Sequence, residues 1–290
     1  MDTALLTALR REIATIEGRP AGFDDECLAA FAEDGEGPRL GDRDKGKRLP
    51  FGIGEIDDRL GGGLPLAALH EFRCEETRDS GSLIGFASGV LARLAVQDIK
   101  PILWIEEEMA SAEAGVPFGS GIAQFGLDPA RLILVRARRP EDALWTFEEG
   151  LRCSGLAAAL VVIRGTPKVL DLTVSRRLAL RSAANGVAGF LLRQSSAPEP
   201  GASITRWRIG PCPAGVMDGF AEGIGRPAWR AVIEKNRLGM TGGFDLEWDQ
   251  EKRSFAPSAT ADPVARPALS VDRPDRAAAE GTFVAFRKAG

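Results

Sequence analysis

The chain has 290 residues, 44% of them hydrophobic, and a formal net charge of -4, enough for one sizeable core with tails to spare. That balance excludes attraction to nucleic acid or an anionic membrane through bulk charge and leaves only local patches for it. One histidine (His70), no tyrosine, and four cysteines scattered singly at Cys27, Cys74, Cys153 and Cys212 argue against a histidine triad, a zinc site or a redox pair, and fit free thiols in a reducing cytosol.

From the N-terminus, Leu5, Leu6, Leu9, Ile13 and Ile16 recur at helical spacing opposite Arg10, Arg11 and Glu12. Residues 1–18 therefore read as an amphipathic helix whose apolar stripe is a candidate partner-binding surface. The stretch has no basic lead-in followed by an apolar block, so it does not read as a signal peptide. No apolar run, Ala157–Ile163 included, is long enough to span a bilayer. The expected location is cytoplasmic, with no membrane partner. Residues 19–49 are polar and read as a flexible linker, residues 50–255 as the folded domain, and residues 256–290, rich in Ala, Pro and charge, as a disordered tail.

Inside the domain, short apolar runs alternate with helical patterns. Leu69–Arg73 reads as the first core strand. A helix follows with Leu83, Phe86, Val90, Leu91 and Leu94 on its buried face. Ile102–Ile105 is a second strand, and the acids Glu106, Glu107 and Glu108 after it read as a solvated edge. Leu132–Val135 is a third strand. Pro140 opens a helix with Leu144, Phe147 and Leu151 inward, and Leu156–Ile163 is the longest strand candidate. The helix after Leu170 stops at Asn185-Gly186, a good C-cap pair, and Val187–Leu192 follows as a strand. Continuous apolar strands separated by helices predict a parallel sheet covered on both faces.

Beyond this the pattern alternates. Thr205, Trp207 and Ile209 alternate with Arg206 and Arg208, a half-exposed strand. Trp229, Ala231 and Ile233 lead into the glycine-rich turn Asn236–Gly243, and Phe244, Leu246 and Trp248 return. An antiparallel edge hairpin is predicted. Core packing is the default role for most of the five tryptophans, and for His70.

The order of these elements resembles a known family. GIGEIDDRLGGGLPLAALHEF (Gly52–Phe72), Phe125–Ile163 and KNRLGMTGGFDLEW (Lys235–Trp248) resemble successive pieces of RecA- and KaiC-like cores. The LHEF at Leu69–Phe72, ILW at Ile102–Trp104, LDLTVSRRLAL at Leu170–Leu180 and TRWRI at Thr205–Ile209 look most like the ImuA family of RecA-like mutagenesis accessory proteins. The resemblance implies a RecA-like, doubly wound, mostly parallel α/β sheet and a part in SOS-induced translesion synthesis. It also implies an ImuB-like Y-family partner, with an error-prone replicative-type polymerase or RecA nearby. Self-association is a further use of such a fold.

In that superfamily the first core strand ends in a phosphate loop, G-x-x-x-x-G-K-[ST], whose backbone N–H groups and lysine hold the phosphates. Here the strand runs into Arg73-Cys74-Glu75-Glu76-Thr77-Arg78-Asp79-Ser80-Gly81-Ser82. Cys74 stands where the first glycine would be, and Asp79-Ser80 where Gly-Lys would be. The aspartate expected at the end of the Ala157–Ile163 strand is Arg164. No cofactor and no catalytic residue is expected. Arg164, Lys168 and Arg193, in the loops matching the DNA-contacting loops of RecA-type cores, are candidate contacts for weak DNA binding. Arg136, Arg138 and Arg139, and Arg176, Arg177 and Arg181, read as polar faces. Two alternatives stay open: a regulator or inhibitor of a recombinase or of cell division, and a nucleotide-dependent ATPase using other residues.

Overall fold

The apolar runs become strands of one sheet. The computed structural model describes residues 47–214 and 225–258; the stripe Leu5–Ile16, most of the linker and nearly all of the tail lie outside them. In chain order the first half comprises β1 (Arg48–Leu49), α1 (Gly54–Arg59), β2 (Leu64–Pro65), β3 (Leu69–Arg73), a 3₁₀ turn (Thr77–Asp79), α2 (Ser80–Gln97), β4 (Ile102–Glu107), α3 (Glu108–Ala114) and α4 (Gly119–Gln124). There follow β5 (Leu132–Ala137), α5 (Pro140–Arg152), β6 (Ala158–Arg164), α6 (Leu172–Asn185), β7 (Ala188–Gln194), β8 (Thr205–Pro211), β9 (Ala228–Asn236), β10 (Gly242–Asp249) and β11 (Ser254–Pro257).

The main sheet has the order β11-β10-β9-β8-β3-β7-β6-β4-β5. The strands from β8 to β5 are parallel, and β9, β10 and β11 extend them antiparallel. Alternate residues on the central strands feed two cores. Phe72, Trp104, Leu160, Val162, Phe190 and Leu192 pack with the α2 residues Leu83, Phe86, Val90, Leu91 and Leu94 on one face. Leu69, Leu103, Ile105, Val161 and Leu191 pack with Leu144, Phe147 and Leu151 of α5 and Leu178 of α6 on the other. The sheet is thus doubly wound and mostly parallel with an antiparallel edge, as the resemblance implied.

Local signals explain the helix bounds. Pro140 occupies the first turn of α5 beside Glu141 and Asp142, where its missing N–H costs nothing and carboxylates meet the positive end of the dipole. Asp171 caps α6 by accepting from Val174 N at 2.7 Å, and Gly186 closes it in the left-handed region at φ 69°. Gly89 on α2 lets the edge strands approach: a Cβ there would lie 2.9 Å from Phe255 and 3.2 Å from Trp248.

Several expectations need correction. Arg206 on β8 is buried rather than half-exposed, because β8 lies between β3 and β9. β1 uses Arg48 and Leu49, assigned to the linker, and β11 uses Ala256 and Pro257, assigned to the tail. β11 is anchored by Phe255, whose ring centroid lies 5.0 Å from that of Trp248 and 5.3 Å from those of Phe51 and Phe86. β5 is the open edge of the sheet and exposes Ile133 and Leu134. Trp145 on α5 is 66% exposed, whereas the other four tryptophans are buried. Among the described residues no helix is long and apolar enough to cross a membrane.

Candidate functional site

The C-terminal ends of the parallel strands are where open α/β sheets bind ligands. Here the junction from β3 to α2 is fastened to the sheet. Cys74 N donates to Arg193 O at 3.1 Å, and Ser196 N donates to Cys74 O at 3.0 Å. The chain thus follows the end of β7 for one more residue before the Thr77–Asp79 turn. Cys74 is buried, and burial pushes its thiol above the ordinary range despite hydrogen bonds from the Ser195 backbone and the Ser80 hydroxyl. Glu75 and Glu76 are exposed, and Arg78 pairs with Glu76 at 2.8 Å. Partial burial raises the Asp79 carboxyl, opposed by Arg78 and reinforced by Glu76 and Glu75. This junction presents carboxylates, which repel a polyanion.

Two of the three acids after Ile105, Glu106 and Glu107, are not a solvated edge. β4 continues through Glu106 and Glu107, because β5 and β6 hold it on both sides: Glu106 sits opposite Arg136 and Val162. Glu106 is 1% exposed. Its Oε1 accepts from Trp104 Nε1 at 2.5 Å and its Oε2 from Ser111 Oγ at 3.1 Å. Burial raises its carboxyl to about 7, against those two hydrogen bonds and the charge of Arg136. Glu107 is also buried, and its Oε2 accepts from the backbone N of Arg164 at 2.9 Å. Glu108 is exposed as the first residue of α3.

A cavity of about 450 Å³ opens beside this junction. Ser80 and Ile84 of α2 form one wall, Phe118 and Phe125 another, and Trp229 closes the side. Glu106 and Gln194 come from the strand ends. Gln194 Oε1 is buried without a hydrogen-bond partner; buried Ser80 Oγ has only the weakly accepting Cys74 sulfur beside it.

The three candidate DNA residues are placed unequally. Arg164 is 42% exposed and pairs with Glu113 at 2.8 Å, and Lys168 is exposed. Arg193 points inward and is 2% exposed. Its guanidinium meets Glu71 Oε1 at 3.2 Å, Gly165 O at 3.2 Å, Glu199 at 3.4 Å and the Thr166 hydroxyl. A phosphate cannot reach a group held in this way. Arg206 Nε lies 2.9 Å from Glu71 Oε2 as an ion pair without hydrogen-bond alignment, and its guanidinium also donates to the Glu199 carbonyl. Arg73 forms a bidentate pair with Glu234 at 2.5 and 2.7 Å and donates to Ser196 O at 2.6 Å. Lys235 Nζ donates to Gly201 O at 2.5 Å. Both loops are therefore clamped from below. In the arginine clusters, Arg139 pairs with Asp142, and Arg177 and Arg181 with Glu148. Among the described residues no cluster of His, Cys, Asp and Glu could hold a metal ion.

No protein-family model matches the chain. Two proteins called Protein ImuA, from Caulobacter vibrioides strains NA1000 / CB15N and ATCC 19089 / CIP 103742 / CB 15, are each 32% identical to it over 212 residues, covering 69% of this chain and 82% of theirs. Among solved structures, that of the RadB recombinase aligns with a TM-score of 0.47 at 15% identity, over 71% of this chain and 98% of its own.

Proposed function

The chain belongs to the ImuA family, and from that premise we propose that it is a non-catalytic accessory protein of SOS-induced translesion DNA synthesis. In this reading it scaffolds or recruits an ImuB-like Y-family protein and an error-prone polymerase. The supporting observation is the β3–α2 junction. Cys74 is tied to the end of β7 where a glycine-rich loop would turn, and Glu75, Glu76 and Asp79 stand where phosphates would need a lysine. Direct DNA contact, where it occurs, rests on Arg164 and Lys168 and is weak and salt-sensitive.

Co-purification with an ImuB-like protein from the same organism tests the proposal, run with the full chain and with residues 1–20 deleted. A stable complex supports it, and weakening on deletion assigns the contact to the N-terminal stripe Leu5, Leu6, Leu9, Ile13 and Ile16. A complex indifferent to deletion keeps the function and moves the contact to the folded domain or the tail. No complex with the full chain overturns the proposal. Calorimetric titration with ATP and Mg²⁺ tests the non-catalytic part, and saturable binding followed by phosphate release would refute it.

A further inference from the structure

The cavity between α2 and the Phe118–Phe125 wall has a definite electrostatic sense. Among the residues that line it, Glu106 is the only ionisable one; none is Lys, Arg or His. The carboxylate belongs to the strand beneath, and Trp104 Nε1 and Ser111 Oγ hold its two oxygens in place from either side. Each oxygen keeps a lone pair after accepting one hydrogen bond. Two more buried polar atoms serve the same space: Gln194 Oε1 has no partner, and Ser80 Oγ has only the Cys74 sulfur. These three side chains offer acceptors to the cavity. Its remaining walls are aromatic. The Phe125 and Trp229 rings lie 6.3 Å apart, tilted by 32°, and Phe118 stands exposed at the mouth.

Buried acceptors without donors cost free energy until a donor meets them, and aromatic faces attract a cation. An anion here would meet Glu106 directly, with Glu75, Glu76 and Asp79 on the adjoining junction. We propose that this cavity binds an organic cation, a small-molecule amine whose ammonium group sits against Glu106 and Gln194 and whose apolar body lies against Phe125 and Trp229. The volume of about 450 Å³ is in the range of small-molecule sites.

The charged surroundings of Glu106 predict how binding varies with pH. From β5 it faces Arg136, from β6 the apolar Val162, and from α3 the hydroxyl of Ser111. Arg136 is the one charged group acting on it, and its effect is smaller than that of burial, which holds the carboxyl at about 7. The ammonium binds the ionised carboxylate, so affinity is full above that value and is lost as pH falls through it.

Isothermal titration of the full chain with three ligands of one shape and different charge tests this: tryptamine, its alcohol analogue tryptophol, and indoleacetate. Above pH 7 tryptamine binds, tryptophol binds about tenfold or more weakly, and indoleacetate does not bind. Lowering the pH from a unit above to a unit below about 7 weakens tryptamine and leaves tryptophol unchanged. Glu106→Gln, folded as judged by its melting transition, removes the preference for the amine. Equal binding of amine and alcohol, tighter binding of the acid, absence of tryptamine binding, or a flat pH profile each overturns the proposal. The charge series on the unsubstituted chain decides the matter even where Glu106→Gln fails to fold.

Discussion

Replacing Glu71 by Gln removes one negative charge from beneath both clamped loops while keeping the shape of the side chain. Glu71 is 3% exposed, and the two arginines that share it, Arg193 and Arg206, are 2% and 7% exposed. The glutamine keeps an oxygen for the Ser203 hydroxyl and turns its NH2 toward Arg193, so no cavity opens and the measured change reports the lost charge together with one lost acceptor. Removing one partner of a buried ion pair costs about 3–5 kcal/mol, because the other charge stays buried without its counterion. Arg193 retains Glu199 at 3.4 Å and Arg206 retains the Glu199 carbonyl, which places the expected loss near the lower end, about 3 kcal/mol. For a folded domain of this size that lowers Tm by about 6–12 °C. Urea unfolding measures it, with an unchanged slope showing that the surface exposed on unfolding is the same. Hydrogen exchange supplies a second readout: Gly165 N, which donates to Gln194 O, exchanges faster once Arg193 lets go of the Gly165 carbonyl and the Thr166 hydroxyl. A loss below about 1 kcal/mol would mean that water screens the triad, and the claim that buried charge clamps the loops would fail.

Gly89→Ala, although it improves helix propensity, destabilises by about 1–3 kcal/mol because the new methyl meets Phe255 at 2.9 Å; stability equal to or above that of the parent in urea unfolding would show that the rings give way freely. His70 and Glu106 set opposed pH slopes. Burial lowers His70 from 6.5 to about 4, so the unfolded chain binds the extra proton between those values and stability rises with pH. Burial raises Glu106 from 4.5 to about 7, so the folded chain holds the extra proton and stability falls with pH. Between 4.5 and 6.5 the two cancel. Glu106→Gln therefore leaves the His70 slope exposed, and its stability gains about 3 kcal/mol relative to the parent across that window; denaturation at both ends of the window checks this, and parallel profiles would contradict it. Trp145→Phe removes the tryptophan emission that iodide quenches in the parent, since Trp145 alone of the five is exposed; unchanged quenching would place another tryptophan at the surface.

The parts of the fold that were legible in the sequence are those written in local apolar pattern. Leu69–Arg73 is both the predicted and the observed β3. The inward faces of α2 and α5 hold the leucines and phenylalanines that periodicity selected, and Asn185-Gly186 ends α6 through its left-handed glycine. β11 was not legible, since SFAP is too short to show alternation and its order depends on Phe255 reaching an aromatic cluster built from Phe51, Phe86 and Trp248.

Charge was where local reading failed, and for a common physical reason. An acid or arginine is normally solvated, so Glu106 and Glu107 read as an edge and Arg193 as a phosphate contact. Whether such a residue is buried depends on which strand lies beside it and in what register. Glu106 is enclosed because β4 has parallel neighbours on both sides. Arg193 turns inward because β7 lies next to β3, which brings it to Glu71 across 122 residues of chain. The one signal the sequence carries is statistical: Glu71 and Arg73 interrupt a strand otherwise made for the core, and a charge in a strand buried at every position needs an opposite charge on an adjacent strand. Read that way, Glu71 demands a cation from β7 or β8, and Arg193 and Arg206 are the ones that parallel pairing with β3 puts within reach. With both committed to Glu71, only Arg164 and Lys168 of the three basic residues first singled out remain at the surface of the described domain.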